Sequence, residues 1–329
     1  MSRRFPLLAA AALVLVVALG VGAGLFVLAR SLPAAASAGP TGEPDPATSD
    51  TAATTEESTE DTEGTEGTED TEDAEDILGA DEVAALGTGA VLAGRQATLT
   101  AALAAYAATD QAEFALAVVD HRTGLSYTFH GDEAFKTASV VKVDILAALL
   151  LRAQDAGRGL TAAEHSLADI MIRYSDNDAA STLWDMIGGA DGLAAADARL
   201  GLTGTVPGPD GWWGMTTTTV ADRVRLLDVI ADPDGPLAAS RDYVLDLMSR
   251  VAADQAWGAS AAADPEETVA LKNGWVDDGT GTWIVNTTGR ITGPGTDLTI
   301  AVLSDHQPGY AAGVASVDKI VALVRSALS

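Results

Sequence analysis

Ser139-Val140-Val141-Lys142 sets a hydroxyl and an amine three residues apart, where two strand-like segments give way to a long apolar helix pattern. Positions i and i+3 share a helix face, so Lys142 can approach the Ser139 hydroxyl. A serine is a poor nucleophile until a base takes its proton. A lysine can be that base only if burial or a second cation lowers its pKa. At a helix N-terminus the dipole favours the charge that develops near the serine. Taken alone, the pair has a plain alternative, with Ser139 as an N-cap and Lys142 as a surface charge.

Two further motifs bear on that choice. Ser175-Asp176-Asn177 falls at the junction of two helix patterns, and Lys272-Asn273-Gly274 falls on a strand near the end of the domain. In order the three read S-x-x-K, S-D-N and K-x-G. This set resembles the serine β-lactamase and penicillin-binding-protein superfamily, and within it the class A β-lactamases. The resemblance runs from about Phe114 to the C-terminus and includes Phe135, shortly before the serine, and the Thr216–Thr219 run leading into a helix.

The resemblance implies a role for each matching residue. Ser139 would attack a strained amide or an acyl-D-alanyl carbonyl and become acylated, with Lys142 as general base or helping a proton reach one. Ser175 would relay a proton to the leaving nitrogen, and Asn177 would hydrogen-bond the substrate's side-chain amide. Lys272 would place positive charge near a substrate carboxylate and help lower the pKa of Lys142. The backbone N–H groups of Ser139 and Trp275 would form the oxyanion hole. Gly274 would let substrate approach the strand closely. Asp176 reads as structural, holding its loop through backbone hydrogen bonds. No cofactor or metal is implied.

The chain departs from the pattern in three places. Class A enzymes carry a glutamate after S-D-N that activates the deacylating water, whereas between Gly201 and Thr219 the only acid is Asp210, which reads as a turn former beside Gly211. Without that base an acyl-enzyme should be long-lived. Asn273 replaces the usual hydroxyl residue and so becomes a substrate-facing amide. Only 36 residues separate Ser139 from Ser175, which implies a trimmed helical lobe.

Trp212, Trp213, Trp257, Trp275 and Trp283 lie in or after the loop that follows S-D-N. They could line a cleft, with core packing the expectation for Trp283. Arg290 suits either a carboxylate anchor or a structural ion pair. Asn286-Thr287-Thr288 is a formal glycosylation sequon. None of the four histidines pairs at metal-ligand spacing. The chain has no G-x-S-x-G elbow, and no Walker or dinucleotide fingerprint outside the N-terminal apolar run.

The elements that must position these residues are legible in outline. Helical spacing runs from Asp81, a candidate N-cap, to about Ala108. Strand-like Phe114–Val119 and Leu125–Phe129 flank the turn His121–Gly124. Helix patterns follow at about Ser139–Ala153, Ala162–Tyr174, Ala179–Ile187, Ala190–Leu200, Val220–Ile230 and Arg241–Arg250. Strands return at Val269–Lys272, Thr282–Thr292 and Leu298–Ser304, before a last helix from about Ala315 to Leu328. The order predicts an α+β fold: an antiparallel sheet flanked by terminal helices on one face, plus an all-helical lobe, with the site in the cleft between them.

The formal charge of −28 is unevenly spread over the 329 residues. Residues 1–30 carry three arginines around a 25-residue uncharged run, Phe5–Ala29, long enough to cross a bilayer. They predict a membrane anchor with the remainder outside the cytoplasm, or a signal peptide cleaved near Ala36-Ser37-Ala38. Residues 31–80 form a Thr-Glu and Glu-Asp linker expected to be disordered, in a stretch where Glu43–Glu82 holds 17 acids and no base. The catalytic domain, 81–329, is expected to be monomeric. Acidity argues against nucleic acid as a partner. The absence of cysteine excludes thiol nucleophiles, zinc-thiolate sites and lipid-modified cysteine. Three functions fit: a slow class A β-lactamase-like hydrolase, a D-alanyl-peptide peptidase or transpeptidase of the cell wall, and a non-catalytic wall-binding domain.

Overall fold

The computed structural model describes residues 80–109, 112–209 and 211–329. The expected membrane segment, all of the linker but Ala80, and Asp210 lie outside the described residues. Strands β1 (Glu113–Asp120), β2 (Leu125–Phe129), β5 (Thr268–Asp277), β6 (Trp283–Gly293) and β7 (Thr296–Asp305) make one antiparallel sheet in the order β2-β1-β7-β6-β5. Two-residue strands β3 (Phe135–Lys136) and β4 (Thr217–Thr218) pair separately.

Alternation along β1 divides the core. Phe114, Leu116 and Val118 join a layer formed with the terminal helices α1 (Ala80–Ala107) and α8 (Tyr310–Leu328), including Leu99, Leu103, Val317 and Val321. Ala115 and Ala117 face the other way, against Val140 and the first turn of α6 (Val220–Ala231) at Val220 and Val224. The helical lobe surrounds α2 (Lys142–Asp155), most of whose residues are buried, with α3 (Ala162–Arg173), α4 (Asn177–Ile187), α5 (Gly189–Leu200) and α7 (Arg241–Ser249). A helix apolar nearly all round must be enclosed, and this one carries the site's first lysine.

The expected α+β architecture, with terminal helices on one sheet face and a helical lobe, is the one found. Details differ. Asp81 is the second residue of α1 rather than its cap. The helix expected from Ser139 opens as a 3-10 turn, Ala138–Val141, and becomes α-helical at Lys142. β5 is ten residues long where four were expected, because Asn273 and Gly274, poor strand formers, mask its middle.

Candidate active site

The serine sits on a tightly fixed turn. Ala138 holds a left-handed φ of +46°, unusual for a residue with a Cβ. Thr137 N donates to Thr216 O at 2.8 Å, tying the turn to the loop 201–219. Asn286, fully buried on β6, donates from Nδ2 to Lys136 O and Thr137 O at 2.8 and 3.0 Å and accepts from Ser304 N at 2.9 Å. Its side chain is thus inaccessible for the modification its sequon suggested. Gly274 packs directly beneath the turn, where a Cβ would fall 2.7 Å from Ser139 N, 2.7 Å from Thr137 O and 2.8 Å from Val140 N. Any side chain there would collide with backbone, so the glycine sets how closely β5 approaches Ser139.

β5 is the edge strand on this side, so one of its rims has no strand partner. Asn273 O faces outward to accept from Lys272 Nζ at 2.8 Å. By strand alternation, Trp275, two residues on, points its N–H along the same open rim.

Four of the expected side chains converge. Lys142 Nζ hydrogen-bonds Ser175 O at 2.5 Å, Ser175 Oγ at 3.1 Å and Asn177 Oδ1 at 2.8 Å. Lys272 Nζ reaches the same Ser175 Oγ at 3.0 Å. Ser175 is held at a left-handed φ of +56°, while Asp176 caps α4 by accepting from Ala179 N at 2.8 Å, the structural role expected of it. No hydrogen bond joins Lys142 to Ser139 among the described residues. The lysine instead spans to α4, and such contacts often form only when substrate arrives.

Both lysine side chains are fully buried. Burial pushes the Lys142 amine down to about 7, against the pull of the Asp176 carboxylate. Lys272 is lowered well below the ordinary lysine range, by burial first and by the Lys142 charge second. Burial is the first cause at both amines, and the repulsion between their charges adds to it at Lys272.

Other expectations are placed differently. The Asn273 side chain is buried away from any substrate, its Nδ2 donating to Gln255 O at 2.8 Å and Trp257 O at 3.1 Å. It is a tie to the neighbouring segment, and only its backbone carbonyl faces Lys272. The indole of Trp275 lies among Trp257 and Tyr310, at centroid distances of 6.0 and 5.6 Å, and Trp283 meets the same tyrosine at 5.9 Å. These three tryptophans pack against the core of the sheet and α8. Trp212 is 69% exposed. Arg290 is paired with Asp297 at 2.8 Å, a structural bridge. Trp213 was one of five cleft candidates in the sequence, and its ring lies 4.8 Å from Lys142 Nζ.

A buried polar cluster braces the turn from behind. Arg223 on α6 grips both oxygens of Asp144 on α2 and donates from Nε to Thr218 Oγ1 at 3.0 Å. Asp222 accepts from Gly204 N and Thr205 Oγ1 at 2.8 and 2.7 Å. α2, α6 and the loop base are thereby fastened together. Asp197 on α5 sits beside them, buried, with neither carboxyl oxygen hydrogen-bonded. Burial, then the Asp144 charge, raises it to about 8, with Arg223 opposing.

Antiparallel sheet, terminal helices and helical lobe together match a known group. The chain belongs to the β-lactamase enzyme family, whose model matches residues 154–328. That span includes Ser175, Asn177 and Lys272 and begins after Ser139 and Lys142. Among curated proteins, the chain is 30% identical over 197 residues to the "Putative lipoprotein LppW" of Mycobacterium tuberculosis and of Mycobacterium bovis, covering 56% of this chain. It spans 61% of the length of those relatives. Among solved structures, a class A β-lactamase from Bacteroides cellulosilyticus matches with a TM-score of 0.63 at 17% identity, over 71% of this chain and 98% of that one. A point mutant of PBP-A, solved as an acyl-enzyme complex with penicillin G, matches with a TM-score of 0.61 at 22% identity, over 70% and 96%. At these identities the structural likeness is one of fold.

Proposed function

We propose that this chain is an extracytoplasmic serine hydrolase acylated at Ser139 by β-lactams or D-alanyl peptides. The observation that carries the reading is the convergence of Lys142 and Lys272 on Ser175 Oγ, beside a serine turn pressed onto Gly274. Two fully buried lysines are costly to a fold, and perturbed amines in a cleft are what base chemistry at neutral pH needs. That argues against a purely wall-binding role.

In the proposed acylation, neutral Lys142 takes the Ser139 proton as Oγ attacks the carbonyl carbon. The N–H groups of Ser139 and Trp275 hold the oxyanion. As the C–N bond breaks, the proton passes from Lys142 through Ser175 Oγ to the leaving nitrogen, and Ser139 Oγ is left esterified. Ser175 suits the relay because its hydroxyl oxygen accepts from both Lys142 and Lys272, which leaves its own proton free for the leaving nitrogen. Asn177, exposed at the start of α4, would contact the acyl side chain's amide while also fixing Lys142.

Fate of the ester separates the two enzyme readings. With no glutamate between Gly201 and Thr219, slow hydrolysis is the expectation, closer to a penicillin-binding peptidase or transpeptidase than to an efficient β-lactamase. The name of the mycobacterial relatives, a lipoprotein, suggests attachment to a membrane. This chain has no cysteine to carry a lipid, so tethering would fall to Phe5–Ala29. Incubating the domain with a labelled penicillin and following adduct mass over time tests the reading. A transient adduct with product release supports the β-lactamase, and a persistent one the penicillin-binding peptidase. No adduct, with Ser139→Ala indistinguishable from wild type on ester and amide substrates, refutes both.

A further inference from the structure

We propose that Trp213 is a positioning residue that keeps water from the acylated Ser139, so that the acyl-enzyme persists. This rests on Ser139 being acylated as described above. The Trp213 ring lies over Lys142 Nζ at 4.8 Å, and its Nε1 donates to Ser181 Oγ on α4 at 3.1 Å. Lys142 already spends its polar contacts on Ser175 O, Ser175 Oγ and Asn177 Oδ1. The indole covers a further side of the amine with an apolar surface that holds it in place without accepting a proton.

The loop cannot easily lift this ring away. Its base is closed by the reciprocal bonds of Val206 and Thr217, 2.8 and 3.0 Å, and Gly208 N donates to Thr216 Oγ1 at 3.0 Å. A Cβ on Gly208 would fall 2.1 Å from Trp212 O, which shows how tightly the strand of loop folds back on itself. Along the serine turn, a Cβ on Gly214 would lie 3.9 Å from Ala138 Cα. The 3-10 turn Trp213–Met215 is thus packed against the turn that carries Ser139.

Hydrolysis of the ester requires a water oxygen to bond the acyl carbon while a base takes its proton. The bond to Ser139 Oγ then breaks, and a proton returns to Oγ. A water for this step has to lie within reach of Lys142 or of a carboxylate. At Lys142 the indole covers one side of the amine at 4.8 Å, where a water would otherwise approach it, and residues 201–209 and 211–219 offer no carboxylate.

The test uses Trp213→Ala, Trp213→Phe and Ser181→Ala in the full chain. Adduct lifetime is followed by mass after a pulse of benzylpenicillin. In parallel, the lysine 13Cε resonances of ligand-free protein are titrated to report on Lys142 without any acylation. Trp213→Ala is expected to shed the adduct at least tenfold faster while still being acylated, and its Lys142 midpoint is expected to rise above about 7 as water enters. Trp213→Phe, which keeps an aromatic face, is expected to restore most of the lifetime. Ser181→Ala, which only frees the ring, is expected to fall between them, and it decides the matter should Trp213→Ala not fold. Adducts as persistent in Trp213→Ala as in wild type would overturn the proposal. A wild-type chain that never forms an adduct overturns the acylation reading and this proposal with it. Adducts of equal lifetime in wild type and variants overturn only this proposal.

Discussion

Lys142 and Lys272, which are 130 residues apart in sequence, direct their amines at one oxygen, Ser175 Oγ, from 3.1 and 3.0 Å. A shared neutral hydroxyl between two buried amines cannot comfortably serve two ammonium ions, so each amine disfavours the other's charged form. Of the two, Lys272 is the more strongly depressed by its surroundings, and Lys142 keeps the proton to about pH 7. Acylation should therefore accelerate as Lys142 loses its proton. The second-order rate with a fluorescent penicillin is expected to rise about tenfold per pH unit below pH 7 and to level off above it. A rate flat from pH 5.5 to 8.5 would count against Lys142 as base.

Lys272 poses a separate test. Burial and the neighbouring charge disfavour its ammonium form, while a carboxylate docking beside it would favour that form again. Binding of benzylpenicillin to the unreactive Ser139→Ala chain at pH 7 is expected to take up a substantial fraction of a proton. Calorimetry in buffers of different ionisation enthalpy measures this directly. Zero uptake would mean that Lys272 does not meet the ligand's carboxylate.

Gly274→Ala tests how tightly β5 must approach the serine. Three backbone atoms lie within 2.8 Å of where the new Cβ would be. Either the strand or the turn has to move, at a cost of about 1–3 kcal/mol in stability. Acylation is expected to fall by more than tenfold, because the turn that carries Ser139 would be displaced from β5. Thermal unfolding and acylation rates of the variant check both effects.

Asp197 gives a pH signature of stability independent of the chemistry. Its folded carboxyl titrates near 8 and its unfolded one near 3.8. Across that window the folded chain holds a proton that the unfolded chain has released, so stability falls as pH rises from about 4 to 8. Asp197→Asn should remove the penalty. It is expected to stabilise the protein substantially at pH 8 and by almost nothing at pH 4. Denaturant unfolding at the two pH values checks it, and equal effects at both would refute the assignment.

Much of this was legible in the sequence, for identifiable reasons. The continuous apolar run of Phe114–Val119 and the long apolar run after Ser139 reported burial on both faces of a strand and nearly all round a helix, and both became the elements they suggested. The order S-x-x-K, S-D-N, K-x-G located the side chains that meet at Ser175. What was hidden depended on tertiary contacts. Nothing local says that Asn273 turns its amide toward Gln255 and Trp257, or that Asn286 is a buried brace rather than a glycosylation acceptor. The Arg223–Asp144 pair joins residues 79 apart and leaves no spacing signal. For Trp213, five tryptophans in or after the loop suggested cleft lining without telling them apart, and only the tertiary structure puts this ring, and not the exposed Trp212, on Lys142.

The most direct measurement is peptide mapping of the wild-type chain after reaction with benzylpenicillin. A mass increase equal to the intact drug, confined to the peptide containing Ser139 and lost in both Ser139→Ala and Lys142→Ala, is the expected result. A chain left unmodified under those conditions, or modified equally in Ser139→Ala, would contradict the assignment of Ser139 as the nucleophile.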